Sequence, residues 1–273
     1  MTSHMQILQT YKKLYNFLIE LIFPIQCLEC SKEKTWLCKE CFKKLEPKLA
    51  MHCVFCESKT TYGETCTTCK PKYALDGAIA CIPYSNKLIQ TLIHNWKYNS
   101  IKEITKYLAL FVKLSVQQAQ TEARKSSSKI LEQGISKLDL THTIEIPPIL
   151  LNEPIIIVPT PLHKNKLKER GFNQSELLAK LLVENNPKWQ IKNIIQRTKK
   201  TTAQASLHGV DRITNIQDAF TISEQINDIR GKHIIIIDDV ITTGNTTNAM
   251  AMLLKRSYAK SVWALTICYG HPL

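Results

Sequence analysis

Eight of the ten cysteines form four pairs of identical spacing, with two residues inside each pair. The pairs are Cys27/Cys30, Cys38/Cys41, Cys53/Cys56 and Cys66/Cys69. Such a pair can present both thiolates to one tetrahedral ion, so two pairs complete a four-thiolate zinc site and four pairs complete two. A disulfide framework is the alternative, but no secretory signal is visible and two further cysteines would be left over. The sequence therefore predicts structural Zn²⁺ with no open coordination position.

Four pairs of cysteines can be combined in sequence or in a cross-braced arrangement. Spacers of seven and nine residues between successive pairs close small ribbons without strain, which favours the sequential combination and leaves the cross-braced one open. Residues 27–72 are expected to form a small zinc-finger domain of four-cysteine sites. That domain should need metal to fold, because so short a segment has only a small apolar core.

A second group of residues that could bind a ligand or take part in a reaction follows an apolar run. Residues 233–237 lead directly into Asp238 and Asp239 and then into "VITTGNT". Two adjacent carboxylates are a costly end for a buried strand unless they bind something. The amides and hydroxyls of Thr242–Thr246 and the dipole of a following helix could cradle a phosphate, and Gly244 allows close approach. This stretch predicts a sugar-phosphate site, with the carboxylates on ribose hydroxyls and the loop on the 5′-phosphate.

Strand-like and helix-like segments alternate around these residues from Tyr73 onward. Strands are predicted within 75–85 (or a hairpin there), 154–161, 193–196, 233–239 and 261–268, and helices within 86–98, 103–120, 175–184 and 245–256. The strands are apolar throughout, which places Cys81 and Cys268 in the core and favours an α/β fold with a mainly parallel sheet and helices on both faces. Ligands of such sheets bind beyond the carboxyl ends of the strands. Residues 122–150 are a candidate flexible insertion within the domain 73–273.

The amino terminus and the charge pattern suggest partners. Residues 1–4 look like an expression scar, and residues 5–26 predict an amphipathic helix that is too short to span a bilayer and contains Glu20. This helix is expected to pack on its own domain, or else on a membrane surface or a partner. The net charge is +13, and residues 160–200 hold ten basic and three acidic side chains, which favours a polyanionic partner. With no visible signal peptide, the chain is expected to stay in the cytoplasm.

Basic and aromatic side chains also mingle in the cysteine segment. Lys43 and Lys44 lie near Trp36 and Phe42, a combination that can hold single-stranded nucleic acid by neutralising phosphates and stacking on bases. The two aromatic residues could equally form the small core of a zinc ribbon. Both interpretations stay open from the sequence.

The quoted motifs resemble known families. "IIIIDDVITTGNT" is similar to the phosphoribosyl-pyrophosphate (PRPP) signature of type I phosphoribosyltransferases. More narrowly, "RGFNQ", the Thr201–Gln204 stretch, the "WKY" element at Trp96–Tyr98 and the cysteine block resemble ComF-family competence proteins. The resemblance covers nearly the whole chain from about residue 25. It implies a type I phosphoribosyltransferase fold, with PRPP and Mg²⁺ as ligands.

The resemblance also implies roles for individual residues. Asp238 and Asp239 would contact ribose and act in any catalysis, Thr160 would lie in the pyrophosphate loop, and residues 197–212 would form a mobile hood. The PRPP-binding residues it implies are Thr160, Arg170, Arg197, Lys199, Lys200, Asp238, Asp239, Val240, Ile241, Thr242, Thr243, Gly244, Asn245 and Thr246. The candidate DNA-binding residues are Lys43, Lys44, Lys164, Lys166 and Lys168.

Three functions are compatible with these residues. By resemblance, the first is a cytoplasmic factor that handles incoming single-stranded DNA during natural transformation, with PRPP and Mg²⁺ in its pocket and contact with the uptake machinery at the inner membrane. The second is an active phosphoribosyltransferase on an unknown base or amine, since the fold alone does not decide function. The third is an adaptor whose zinc module docks a partner.

Overall fold

A computed structural model describes residues 24–132, 147, 153–184, 186–198, 219–222 and 226–270. Several predictions therefore lie outside the described residues. They concern the scar at 1–4, nearly all of the helix at 5–26, most of the insertion at 122–150, and the hood residues from 199 onward, including Lys199 and Lys200.

The chain divides into two compact units, residues 1–45 and 46–273. The predicted domain boundary lay instead between residues 72 and 73. The observed boundary after Leu45 has a physical reason, because the backbone that follows Leu45 is hydrogen-bonded to the strand Gly77–Pro83. The amide of Lys48 donates to the Cys81 carbonyl at 2.8 Å, and that of Ala50 donates to the Ala80 carbonyl at 3.0 Å. The larger unit therefore includes the cysteines Cys53, Cys56, Cys66 and Cys69.

A five-stranded parallel sheet forms the centre of the larger unit. Its strands are β1 (Gly77–Pro83), β2 (Ile155–Pro159), β3 (Trp189–Ile191), β6 (His233–Ile241) and β7 (Ser261–Tyr269), in the order β1-β7-β6-β2-β3. Two short strands, β4 (Ile195–Arg197) and β5 (Phe220–Ile222), pair antiparallel outside this sheet. The parallel arrangement brings the carboxyl ends of the sheet strands to one edge, where the aspartates lie.

The helices of the larger unit cover the sheet on both faces. Among the described residues they are α2 (Lys87–Tyr98), α3 (Ile104–Glu132), α4 (Lys164–Arg170), α5 (Gln174–Val183) and α6 (Asn245–Arg256), while α1 (Lys39–Phe42) belongs to the smaller unit. On one face, Ile234 and Ile236 of β6 share a buried cluster with Met250 of α6. Successive strand residues alternate faces, so the buried Ile235 and Ile237 point to the other side, and α5 packs against β2 and β6.

The secondary structure differs from the prediction in several places, among them the helices α1 and α4, which were not predicted. Residues 75–85 contain one parallel strand and no hairpin, and residues 193–196 contribute β4 to the separate antiparallel pair. Residues 122–132, expected at the start of a flexible insertion, continue α3. The three-residue strands β3 and β5 were not predicted, because so short a run carries no periodicity. Cys81 and Cys268 are fully buried in the core, as predicted.

Among the described residues, none of the helices has the length and apolar character needed to cross a bilayer.

Candidate functional site

The aspartate pair lies near the carboxyl end of β6. This strand runs to Ile241, four residues beyond the predicted end of the apolar run, because its pairing with β7 continues to the partners Ile241 and Tyr269. Asp238 and Asp239 are both half-buried. The strand therefore holds both carboxylates on rigid backbone at the edge of the sheet where α/β proteins bind ligands.

Asp239 forms an ion pair with a lysine that was not predicted as a site residue. Lys97 Nζ lies 2.7 Å from Asp239 Oδ2, and the two side chains are only 19% and 15% exposed. Burial, the largest single effect, lowers the pKa of Lys97, but the charge of Asp239, the hydrogen bond to it and smaller contributions from Asp238 and Tyr98 together raise it. Lys97 therefore stays charged beside Asp239. The "WKY" element contained this residue, but its contact with β6 depends on where the end of α2 packs.

Asp238 is in a different electrostatic state. Its Oδ1 accepts a hydrogen bond from the Asp239 amide at 2.9 Å, and the Ser175 hydroxyl lies at 3.5 Å. Burial, followed by the negative charge of Asp239, raises the pKa of Asp238 to about 7. The two adjacent carboxyls thus differ, because Asp239 pairs with Lys97 whereas the pKa of Asp238 is raised. Perturbed titration of this kind is typical of functional sites.

The exit of β2 and the start of α5 meet beside Asp238. Thr160 is buried, and its amide donates to the Ile237 carbonyl at 2.9 Å. Asn173 caps α5 by accepting from the Ser175 amide at 3.0 Å, and its Nδ2 donates to the Thr160 carbonyl at 3.1 Å. One side chain therefore ties the predicted pyrophosphate loop to the helix that positions Ser175.

Gln174 adds an unsatisfied donor to this region. The residue is 1% exposed, and its Nε2 has no hydrogen-bond partner among the residues that the structure describes. Since a buried amide without a partner is costly, Gln174 is a candidate ligand contact. The resemblance had flagged the surrounding "RGFNQ" motif, but no property of the sequence separates this glutamine from a surface one.

The loop from β6 to α6 has the backbone geometry of a phosphate cradle. Thr242 and Thr243 are exposed, and Gly244 occupies the helix-capping position with φ 70°, in the left-handed region that favours glycine. Gly244 has no side chain to cap α6, which leaves the amides of the first turn open to an anion. The Thr247 hydroxyl and the Asn248 amide hold the Gly244 carbonyl at 2.9 and 2.8 Å. The predicted loop residues therefore fit a phosphate group.

The other predicted contacts are placed differently. Arg197 ends β4, with its guanidinium 5.5 Å from the Phe220 ring, and burial lowers its pKa against the opposing attraction of Asp238. Arg170 ends α4 and lies over Tyr98, with 5.9 Å from its Cζ to the ring centroid. Val240 pairs with Cys268 in the sheet. Arg197 thus interacts electrostatically with Asp238, whereas the Arg170 guanidinium lies over the Tyr98 ring.

The eight paired cysteines form two groups, each able to hold one metal ion. Cys27, Cys30, Cys38 and Cys41 make one group, and Cys53, Cys56, Cys66 and Cys69 make the other, with sulfurs within 4.8 Å of one another in each. This is the sequential combination, which confirms the prediction made from loop length.

The sulfur spacing fits a tetrahedral ion. Cys30 and Cys38 sulfurs are 3.7 Å apart, and Cys56 and Cys66 sulfurs are 3.5 Å apart. A tetrahedral Zn²⁺ with bonds of about 2.3 Å sets its sulfurs roughly 3.8 Å apart. Backbone amides of Cys38 and Cys41 point at the sulfurs of Cys27 and Cys38, each at 3.4 Å, as thiolates require. Four thiolates per group leave no position for a substrate.

Comparisons with known proteins agree with this geometry. The family model described as "Phosphoribosyl transferase domain" matches residues 175–272, from α5 to the end of β7. "Competence protein F" of Haemophilus influenzae is 26% identical over 250 residues, which is 89% of this chain and 97% of that protein.

Two further relatives match a shorter region. "DNA utilization protein YhgH" of Escherichia coli K12 is 35% identical over 119 residues, 43% of this chain and 51% of the relative. "Competence protein ComFC" of Bacillus subtilis is 35% identical over 115 residues, 41% of this chain and 43% of the relative. The chain thus aligns with about half the length of these two proteins.

A solved structure of L. donovani hypoxanthine-guanine phosphoribosyl transferase aligns over 55% of this chain and 67% of its own, at 14% identity. Its TM-score of 0.27 is too low to add to the fold assignment. The parallel sheet and the matching domain confirm the type I phosphoribosyltransferase fold predicted from the sequence. The fold, the paired cysteines and the similarity to these competence proteins together support a ComF-family phosphoribosyltransferase-like protein.

Proposed function

We propose that this chain is a competence factor that handles incoming single-stranded DNA in the cytoplasm and binds PRPP with Mg²⁺ in its phosphoribosyltransferase-like pocket. The observation that carries the proposal is the H. influenzae relative named as a competence protein, which aligns along nearly its whole length. Contact with the uptake machinery at the inner membrane belongs to the same proposal. Zn²⁺ would be held in the two cysteine groups and would serve structure alone.

The proposed PRPP pocket is supported by the site at the carboxyl edge of the sheet. Asp238 and Asp239 supply carboxylate oxygens, which can accept hydrogen bonds from ribose hydroxyls and can coordinate Mg²⁺. The uncapped first turn of α6 and the left-handed Gly244 suit the 5′-phosphate. The buried Gln174 amide is a further donor for the same ligand. When bound, Mg²⁺ would neutralise pyrophosphate oxygens.

The proposed DNA surface is supported by exposed cations beside an exposed aromatic ring. Lys164, Lys166 and Lys168 of α4 are all exposed. At the end of this helix Arg170 lies over the ring of Tyr98, a side chain that is 68% exposed. The ring of His94 lies 4.9 Å from that of Tyr98. Cations beside a stacking platform are what single-stranded nucleic acid binds without sequence preference.

The smaller unit offers a weaker version of the same pattern. Lys43 and Lys44 are exposed, but each lies near a carboxylate, with Glu40 at 3.2 Å and Glu29 at 3.8 Å. Trp36 and Phe42 are half-buried. We therefore place the main DNA contacts of the proposal on α4 and Tyr98, with Lys43 and Lys44 as secondary contacts.

PRPP binding can be measured by calorimetry in Mg²⁺ buffer. The wild-type chain should bind, and the double change Asp238→Asn with Asp239→Asn should abolish binding because it removes both carboxylates. Asp228→Asn is the control, since Asp228 pairs on the surface with Lys192 at 2.6 Å. Unchanged binding by the double variant would refute the site.

DNA binding can be measured with fluorescent oligonucleotides at several salt concentrations. Replacing Lys164, Lys166 and Lys168 by Ala should weaken binding and reduce the salt slope by up to about 2, near 0.7 per phosphate contact. Tyr98→Ala should weaken binding about 5- to 100-fold, and Tyr98→Phe should not, because it keeps the ring. A flat salt response would argue against the proposal.

A matched control for Tyr98 exists in the same unit. Tyr258 is 67% exposed and has Arg230 4.7 Å over its ring. It lies instead at the opposite edge of the sheet, where its carbonyl accepts from Gly231 just before β6. Tyr258→Ala should leave DNA affinity unchanged.

The alternative function is an active phosphoribosyltransferase on a base or amine. It is favoured by the match of residues 175–272 to the phosphoribosyl transferase domain and by the titration of Asp238 near neutral pH. Pyrophosphate release, assayed with PRPP, Mg²⁺ and a panel of bases and amines, distinguishes the two. Release with one acceptor that is lost in Asp238→Asn would establish the enzyme.

A further inference from the structure

The second cysteine group consists of Cys53, Cys56, Cys66 and Cys69. It contacts the phosphate loop, residues 242–246, through the two residues between its first pair of ligands. Val54 and Phe55 lie between Cys53 and Cys56. A Cβ built on Gly244 would lie 3.0 Å from Phe55 Cε1 and 3.1 Å from Val54 Cγ1, closer than most real contacts. These two side chains therefore form the wall against which the loop is folded.

Phe55 is itself held in place by the far end of the same cysteine group. Its ring stacks on that of Tyr73, with centroids 3.6 Å apart and planes 4° from parallel. Tyr73 follows Cys69, and its amide donates to the Cys69 carbonyl at 3.2 Å. Both rings of the stack are thus attached to metal-ligand segments.

The chain after Tyr73 is also hydrogen-bonded to α6, the helix that follows the phosphate loop. Asn248 Oδ1 accepts hydrogen bonds from the amides of Ala74 at 2.8 Å and Leu75 at 3.2 Å. Asn248 lies in the first turn of α6, and its own amide donates to the Gly244 carbonyl at 2.8 Å. The loop and the start of α6 are therefore braced by both ends of the second cysteine group.

The first cysteine group provides an internal comparison. Its corresponding residues, Leu28 and Glu29, lie between Cys27 and Cys30 in the compact unit 1–45. The phosphate loop belongs to the other unit, 46–273. The two groups have the same ligands and the same spacing inside each pair, so a difference in their effect on the loop would come from position.

We propose that the metal ion of the second cysteine group positions the phosphate loop, so that Zn²⁺ retention there and binding of a ribose 5-phosphate group strengthen each other. Val54 and Phe55 are the positioning residues. Without metal, four thiolates on short turns cannot hold a small ribbon together, so the wall against Gly244 would be lost. Coupling between the equilibrium affinities of two sites is reciprocal, so the ligand must raise the affinity of the second cysteine group for its metal ion. The inference rests on the proposed function of the loop as a 5′-phosphate cradle.

The first test measures affinity for ribose 5-phosphate by calorimetry on the zinc-loaded full chain. Phe55→Ala should weaken binding by about tenfold, a typical coupling. Phe55→Tyr, which keeps the ring, should bind within about twofold of wild type, as should the matched control Leu28→Ala in the first group. Equal affinities for Phe55→Ala and wild type would overturn the inference.

The second test measures how much Zn²⁺ is released at equilibrium to a competing chromogenic chelator, with and without saturating ribose 5-phosphate. It needs no substitution in the wall, so it stands even if Phe55→Ala fails to fold. In Cys30→Ser, which keeps the second metal site, the Zn²⁺ affinity obtained from this competition should rise several-fold on adding the ligand. In Cys56→Ser, which keeps only the first, release should not change. Equal ligand effects in the two variants would overturn the inference.

The outcomes separate this inference from the proposed function. If the wild-type chain binds neither ribose 5-phosphate nor PRPP, the proposed pocket is wrong and the inference falls with it. If the wild type binds both while Phe55→Ala binds equally well and release is unaffected by ligand, the pocket stands and the coupling alone is refuted.

Discussion

At the scale of single residues, Asp238 and Asp239 show how neighbours of identical chemistry acquire different roles. Asp239 forms an ion pair with Lys97 at 2.7 Å. The pKa of Asp238 is raised to about 7 by burial and by the negative charge of Asp239. Holding an acid in this state costs folding stability, which proteins commonly accept at ligand sites.

The cost at Asp238 predicts a pH-dependent stability. An unfolded aspartate titrates near pH 4, so between about pH 4 and pH 7 the folded chain binds more protons and its stability falls as pH rises. Asp238→Asn should therefore raise the thermal midpoint by roughly 2–5 °C at pH 8 and by a clearly smaller amount at pH 5. Scanning calorimetry at the two pH values measures this.

Asp228 serves as the control of opposite sign. Its hydrogen bond and attraction to Lys192 lower its pKa, so its ionised form favours folding and that contribution is lost as pH falls. Asp228→Asn should not raise the midpoint at pH 8. An equal shift for Asp238→Asn at both pH values would show that Asp238 is an ordinary surface carboxylate.

At the scale of elements, the start of α5 organises the site. Asn173 joins this helix to the exit of β2, through one bond to Ser175 and another to Thr160. The sequence predicted a helix at 175–184 from its apolar spacing, and α5 is observed at Gln174–Val183. The capping role of Asn173 was missed, although an asparagine before a helix is a known start signal.

Asn173→Ala should reduce both stability and ligand affinity. Loss of the cap is expected to lower the free energy of unfolding by about 1–2 kcal/mol. PRPP affinity should fall as well, because Ser175 and Gln174 lose their fixed position beside Asp238. Chemical denaturation and calorimetry measure the two effects.

Asn86→Ala is the matched control, because Asn86 caps α2 with a bond of 3.0 Å to the Ile89 amide. Asn86→Ala should lower the free energy of unfolding by a similar amount. PRPP affinity should change little, because Asn86 and Lys97 lie at opposite ends of α2. If both variants lose affinity equally, Asn173 has no special place in the site.

At the scale of the whole molecule, two metal groups with the same donor set lie in different compact units. Zinc content should therefore be two ions per chain, falling to one in either Cys30→Ser or Cys56→Ser. Cys56→Ser should lower the unfolding transition of the larger unit, whereas Cys30→Ser should leave that transition in place, because its group folds the smaller unit. Elemental analysis and calorimetry on the same samples test this.

The buried thiol of Cys81 supplies the control for these cysteine variants. Cys81 lies within β1 and outside both metal groups. Cys81→Ala should keep two zinc ions per chain. Retention of two ions in Cys56→Ser would contradict the second site.

What the sequence by itself determined is local. The four cysteine pairs, the apolar strands and the acidic-to-threonine turn after 233–237 all depend on neighbours within about ten residues, so spacing and periodicity were enough to predict them. The parallel sheet followed, since apolar strands alternating with helices favour one architecture.

The tertiary structure decided what depends on distant parts of the chain meeting. The ion pair between Lys97 and Asp239 and the contact of Phe55 with Gly244 join segments far apart in sequence, and the Gln174 amide is buried without a hydrogen-bond partner among the described residues. Each depends on how a helix end or a metal ribbon packs against the sheet edge, and no local pattern records that packing. The same cause places the second cysteine group, whose spacing inside each pair is that of the first, against the phosphate loop of its own unit.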